Sequence, residues 1–213
     1  AYTAGQRTDE TWDAPVFGPA FPPPNPWGNT IRRDDDTITV DPSWFSDGSG
    51  THGGPGPAAQ HHLVVSRNGT PVADVRAASV TVRVPTGTVT IADDSTRAAA
   101  YSTRTRTTWT LPSVHGTGPL PVSAIRFTPG PAGVLGFEVQ RQPGATAGTT
   151  RTFGLEVSYD DGTTWRAPLF TRLGEAGVAV LRPPAGAYVS LRASATDGSG
   201  NRVDQTVIRA YRG

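Results

Sequence analysis

Apolar and polar residues alternate with a period of two through most of this chain. In the segment 78–84, Val80, Val82 and Val84 share one face, and Thr81 and Arg83 take the other. That period puts successive side chains on opposite sides of a pleated strand and marks a half-buried one. Ile38 with Val40, Val89 with Ile91, and Trp109 with Leu111 at the end of a Thr- and Arg-rich run read the same way. Beyond residue 121 the pattern is more regular. Ile125 pairs with Phe127, Leu135 with Phe137 and Val139, and Phe153 with Leu155, Val157 and Tyr159. Val178 and Val180 continue the apolar face, followed by Val189, Leu191, Ala193 and Ala195, with Ser190, Arg192, Ser194 and Thr196 on the wet side. The segment 203–211 closes the series. No window carries the i, i+3, i+4, i+7 spacing of a capped amphipathic helix.

Turn chemistry separates these strands. Asn68-Gly69 is a hairpin dipeptide, Asp93-Asp94 reads as a turn, and Asp197-Gly198-Ser199-Gly200-Asn201 reverses the chain again. Pro19, Pro22, Pro23, Pro24 and Pro26 force extended backbone near the start, and the Gly/Pro-rich segment 47–60 cannot sustain a strand interior. Arg32 to Asp36 reads as a solvated turn. Short strands separated by Gly, Pro and Asp turns are the signature of packed antiparallel sheets. The expectation is an all-β chain of two tandem antiparallel β-sandwich modules, immunoglobulin/fibronectin-III-like or jelly-roll-like. The Pro/Gly run from Pro112 to Pro121 suggests a division into 1–114 and 115–213.

The densest turn signal is Ser158-Tyr159-Asp160-Asp161-Gly162-Thr163-Thr164-Trp165. Asp161-Gly162 suits a type I′ turn, whose two central residues need positive φ. Asp160 can fold its carboxylate onto nearby N–H groups, and Ser158 can do so more weakly. Trp165 leaves the turn with a large ring to bury. The pattern S-x-D-x-G-x-T-W resembles the Asp-box hairpin of secreted β proteins, which implies that Ser158, Asp160, Gly162 and Trp165 form a structural turn.

Composition narrows the function classes. The formal net charge of +1 argues against nucleic acid as a partner. Every basic residue is Arg, so a Lys-dependent phosphate loop cannot form. There is no Cys, hence no disulfide framework, thiolate nucleophile or Cys-ligated metal. There is also no Met, which suggests a mature or excised piece of a longer chain. No apolar run approaches the length of a membrane span.

Several residues invite a chemical reading. His115-Gly116-Thr117-Gly118 and Asp47-Gly48-Ser49-Gly50-Thr51-His52-Gly53 suggest fragments of a serine-peptidase site. Both lack the helix start that a nucleophilic serine needs, and His115 lies in a Pro/Gly linker. His61-His62 could not place both rings in one metal site, because neighbours on a strand face opposite ways. Glu138, Glu156 and Glu175 fit outward positions better than an opposed catalytic pair. The acidic triplet Asp34-Asp35-Asp36 and the Asp197–Asn201 turn could each ligate Ca²⁺; no other cofactor is expected. Trp27, Trp44 and Phe45 fall near loops and form a candidate ligand platform.

The runs FGLEVSYDDGTTW and VSLRASATDGSGNRVDQTVIRAY, with TDETWDAPVFGPAF, VTVRVP and STRTRTTWTLPS earlier, resemble the C-terminal region of large subtilisin-like serine peptidases. These are secreted by high-GC Gram-positive bacteria, and their catalytic triad lies in a separate upstream domain. The resemblance implies an exported, non-catalytic accessory region that stabilises the enzyme or docks it on substrate or surface. Its partner would be its own peptidase domain or an extracellular protein or polysaccharide polymer. A carbohydrate-binding or adhesin-type module is the alternative.

Overall fold

The computed structural model describes Val16, Gly18, Pro19, Phe21, residues 31–41 and residues 60–213. Trp27, Trp44 and Phe45, the expected platform, lie outside the described residues, as does the segment 47–53. Among the described residues fifteen strands follow one another: β1 (Ile31–Asp34), β2 (Thr37–Val40), β3 (Gln60–Arg67), β4 (Thr70–Arg76), β5 (Val80–Arg83), β6 (Gly87–Thr96), β7 (Arg104–Val114) and β8 (Gly118–Pro119); then β9 (Ser123–Pro129), β10 (Val134–Arg141), β11 (Thr150–Ser158), β12 (Leu169–Leu173), β13 (Ala176–Val180), β14 (Tyr188–Asp197) and β15 (Arg202–Arg212). Among the described residues the only helical piece is a 3-10 turn at Pro131–Gly133. The chain is all-β and sandwich-like, and its strand pairs are antiparallel.

A seven-stranded sheet in the order β11-β14-β15-β7-β6-β3-β4 forms one layer. Two four-stranded sheets, β5-β2-β1-β8 and β12-β13-β10-β9, bury their inner faces in the same core. Trp109, Leu111, Ile91, Leu63 and Leu191 from the large sheet join Ile31 and Ile38 from one small sheet and Ile125 and Leu135 from the other. Trp109 is fully buried, and its indole N–H donates to the Ser123 carbonyl at 2.6 Å.

Two buried glutamine amides stitch these layers together. The Gln205 side chain accepts from Ile125 N at 3.1 Å and donates to Ile125 O at 2.8 Å, tying β15 to β9. Gln142 accepts from Ile31 N at 2.9 Å and donates to Ile31 O at 2.6 Å and Leu120 O at 2.9 Å. Each amide imitates a missing strand partner, because an orphaned buried backbone group is costly.

Three features depart from the sequence reading. The large sheet takes β3, β4, β6 and β7 from 1–114 and β11, β14 and β15 from 115–213, with β7 hydrogen-bonded to β15 across the expected module boundary. The two halves therefore share a sheet and a core. Asp93 and Asp94 sit within β6, not in a turn; Asp93 opposes Thr107 on one side and Leu63 on the other. Arg32, Arg33 and Asp34 belong to β1, and only Asp35 and Asp36 turn the chain, Asp35 with φ of 50°.

Candidate functional site

The Asp-box-like stretch forms a corner between layers. It leaves β11 in the large sheet and reaches β12 in a small one, closed at its base by the Val157–Arg166 backbone pair. Asp161 and Gly162 have φ of 58° and 86°, as a type I′ turn requires. The buried Ser158 hydroxyl donates to Asp160 Oδ1 at 2.6 Å and accepts from Gly162 N at 2.8 Å. Asp160 also accepts from Thr164 N at 2.9 Å and from Thr164 Oγ1 at 2.6 Å. Hydrogen bonds from Ser158 first, then Thr164, hold the Asp160 carboxyl down to about 2. Outside this ring, Asp161 takes both ends of the Arg209 guanidinium, at 2.9 and 2.6 Å. Trp165 is half-buried and not core. Its indole donates to Gly162 O at 2.9 Å, and Arg192 lies 4.6 Å from its ring centroid. The four motif residues thus satisfy one another, which leaves Asp160 no exposed reacting role.

The adjacent histidines part company as strand geometry requires. His61 points inward with Nδ1 2.9 Å from Asp93 Oδ2, and His62 points outward with Nε2 2.7 Å from Asp74 Oδ1. Burial pushes the Asp93 carboxyl up, against the opposing hydrogen bond from His61. The pair has the form of an imidazole held by a carboxylate. The nearby Ser95 hydroxyl is committed to the Thr105 carbonyl at 3.2 Å. His115 is an exposed loop residue with Nδ1 3.4 Å from Ser113 Oγ.

Of the carboxylates read as calcium ligands, Asp34, Asp36 and Asp197 have protein partners. Asp197 accepts from Ser199 N, Asn201 N, Asn201 Nδ2 and Gly148 N at 2.8–3.1 Å, so its oxygens face donors. In the triplet, Asp34 pairs with Arg32 and Asp36 with Arg83. Among the described residues no three His, Asp or Glu side chains converge to hold a metal ion. Glu156 pairs with Arg192 across β11 and β14. Burial would raise Glu175, but hydrogen bonds from Thr150 and Arg141 hold it below the usual range.

The two outer faces of the molecule differ in character. The outer face of the large sheet carries ion pairs: Glu156–Arg192, Arg202–Asp204, and Asp94 between Arg104 and Arg106. The outer face of β12-β13-β10 is mostly apolar, with Thr171 and Glu138 as polar members. Leu169, Val180 and Val134 stand in one cross-strand row, with Val178 and Leu173 beside them. Leu169 is 86% exposed and Leu173 90% exposed. Val178 and Val180 therefore face solvent while Ala179 is buried, the reverse of the side expected from the sequence. Beneath this sheet Phe137 stacks on Phe153 at 4.4 Å, and Phe170 meets both edge-on.

The sequence reading missed a cleft of about 460 Å³ lined by Arg33, Ser113, the 115–121 loop, Thr146, Ser199 and Asn201. The only signal for it was the Ile31/Arg33 alternation, which places Arg33 at an inward position. No family model matches the chain, and no curated protein matches it in sequence.

Proposed function

We propose that this chain is a non-catalytic accessory region of an exported subtilisin-like peptidase, docked on its own peptidase domain through the outer face of β12-β13-β10. The observation that carries the proposal is that face. Leu169, Leu173, Val178, Val180 and Val134 form a contiguous apolar surface on a molecule whose opposite face is charge-paired. An exposed apolar cluster of this kind is the usual mark of a protein contact. The resemblance of the 153–211 stretches to that family supplies the identity of the partner. Secretion and the absence of catalysis belong to the same proposal.

The test is co-precipitation of the isolated chain with the peptidase domain, for the parent and for a Leu173→Asp/Val178→Asp variant. Binding by the parent and at least about tenfold weaker binding by the variant are expected. Equal binding would move the contact elsewhere, and no binding by the parent would remove the reading. Retention on an insoluble polysaccharide in place of the peptidase would favour the carbohydrate-binding alternative. Labelling of one serine by a phosphonate probe would sink the non-catalytic assignment.

A further inference from the structure

Strand alternation puts Arg33 where an apolar residue belongs. In β1 Ile31 and Arg33 face inward, and Arg33 is 3% exposed. It stands opposite the buried Ile38 on β2 and beside Gly118 on β8. Buried guanidinium groups are normally matched by a carboxylate, because an unpaired charge out of water is strongly unfavourable. Among the described residues Arg33 makes no ion pair with a carboxylate, though its charge helps to lower the Asp36 carboxyl. Its Nη1 donates to the Val84 carbonyl at 2.6 Å, and its Nε is buried with no acceptor among the described residues. The nearby Asp36 carboxylate is taken by Arg83, and the Asp34 carboxylate by Arg32.

The same side chain lines the cleft of about 460 Å³, whose described lining includes no Asp or Glu. Around Arg33 there stand the hydroxyls of Thr117, Thr146 and Ser199, a glycine-bearing loop with His115, and the Asn201 amide, whose Nδ2 also donates to Asp197. Gly116 and Gly118 have φ of 73° and 137°, a backbone that side chains rarely adopt. Substitution there would change the shape of the rim.

We propose that this cleft is a binding site for a carboxylate. One fixed positive charge matches one negative charge, and the Nε/Nη2 edge of the guanidinium is the planar fork that takes a carboxylate side-on. The neutral hydroxyls can complete the anion's coordination without adding charge. A doubly charged phosphate would exceed what a single arginine compensates. The site does not depend on the docking face and stands whether or not that reading holds.

The experiment is an NMR titration of the whole chain, following the Arg33 Nε–H resonance and the backbone amides of Thr117 and Ser199. Acetate, glucuronate and an N-acetylated tripeptide with a free or an amidated C-terminus are the probes, each set against sodium chloride at equal ionic strength. A saturable shift of the Arg33 resonance by a carboxylate, not reproduced by chloride, is expected. Arg33→Lys keeps the charge but loses the fork and should bind about tenfold more weakly. A tripeptide that binds more tightly than acetate only when its terminus is free makes the ligand a chain end. A preference for glucuronate makes it an acidic sugar. No saturation by any carboxylate, tighter binding of inorganic phosphate, or unchanged affinity in a folded Arg33→Lys variant overturns the proposal. The parent-chain titration decides the matter even if the variant fails to fold.

Discussion

Replacing Gln205 by Leu tests whether one side-chain amide holds the two layers in register. The change leaves the Ile125 N–H and C=O, both in the buried β9–β15 seam, without partners. Each orphaned buried group costs about 1–3 kcal/mol, so the two together cost about 2–6 kcal/mol. Leucine is of similar size and regains about 1.5–3 kcal/mol as an apolar side chain in the same place. Taking the middle of each range, about 4 against about 2 kcal/mol, the expected net loss is about 2 kcal/mol. For a chain of this size that corresponds to about 4–8 °C in Tm. Urea unfolding at pH 7, followed by Trp fluorescence and far-UV circular dichroism, gives the free energy. Amide exchange at Ile125 reports the seam itself. A midpoint within about 0.5 kcal/mol of the parent, or unchanged protection at Ile125, would refute the reasoning. Either result would mean that β9 is held by apolar contacts alone.

Other perturbations probe other parts of the fold. Ser158→Ala removes the acceptor for Gly162 N and the donor to Asp160, and should lower stability by about 1–3 kcal/mol with faster exchange at Gly162. Asp160 is held at about 2 in the fold against an ordinary value of 3.8, so its contribution is complete above 3.8 and disappears as pH falls through about 2. Asp160→Asn should therefore flatten that part of the urea midpoint-versus-pH curve, and an unchanged curve would contradict the assignment. A Cβ at Gly177 would lie 2.3 Å from Phe137 Cζ and 2.4 Å from the Thr171 carbonyl. Gly177→Ala should cost about 1–3 kcal/mol, toward the upper end because backbone cannot yield as a side chain can; calorimetry checks it.

Local patterns were legible in the sequence where one segment was enough to decide them. Trp109 and Leu111 point inward as their alternation implies, and Asn68-Gly69 closes β3 and β4 with φ of 48° and 82°. The Asp161-Gly162 turn has the expected backbone and closes on the antiparallel Val157–Arg166 pair, but the returning chain then passes to another sheet as β12. Alternation reveals that residues 176–180 form a strand without saying which side is wet. Nothing local distinguishes the outward Val178 and Val180 from the inward Val189 and Leu191. The shared sheet was hidden for a related reason: the β7–β15 pairing joins Trp109 to Val203, which no sequence window spans. Arg33 was masked by its charged neighbours, which draw the eye to a solvated turn and away from Ile31.

The position of β15 constrains how the chain can be assembled. It lies between β7 and β14, so residues 202–212 fill the middle of the large sheet, not its edge. Until they arrive, β7 and β14 each present an unpaired strand edge, the surface most prone to pairing with another chain. Loop-closure entropy must be met before this insertion yields its contacts, which favours slow folding with a late closing step. During synthesis the growing polypeptide would carry two open edges until residue 212 clears the ribosome, and a chaperone would protect it in that interval.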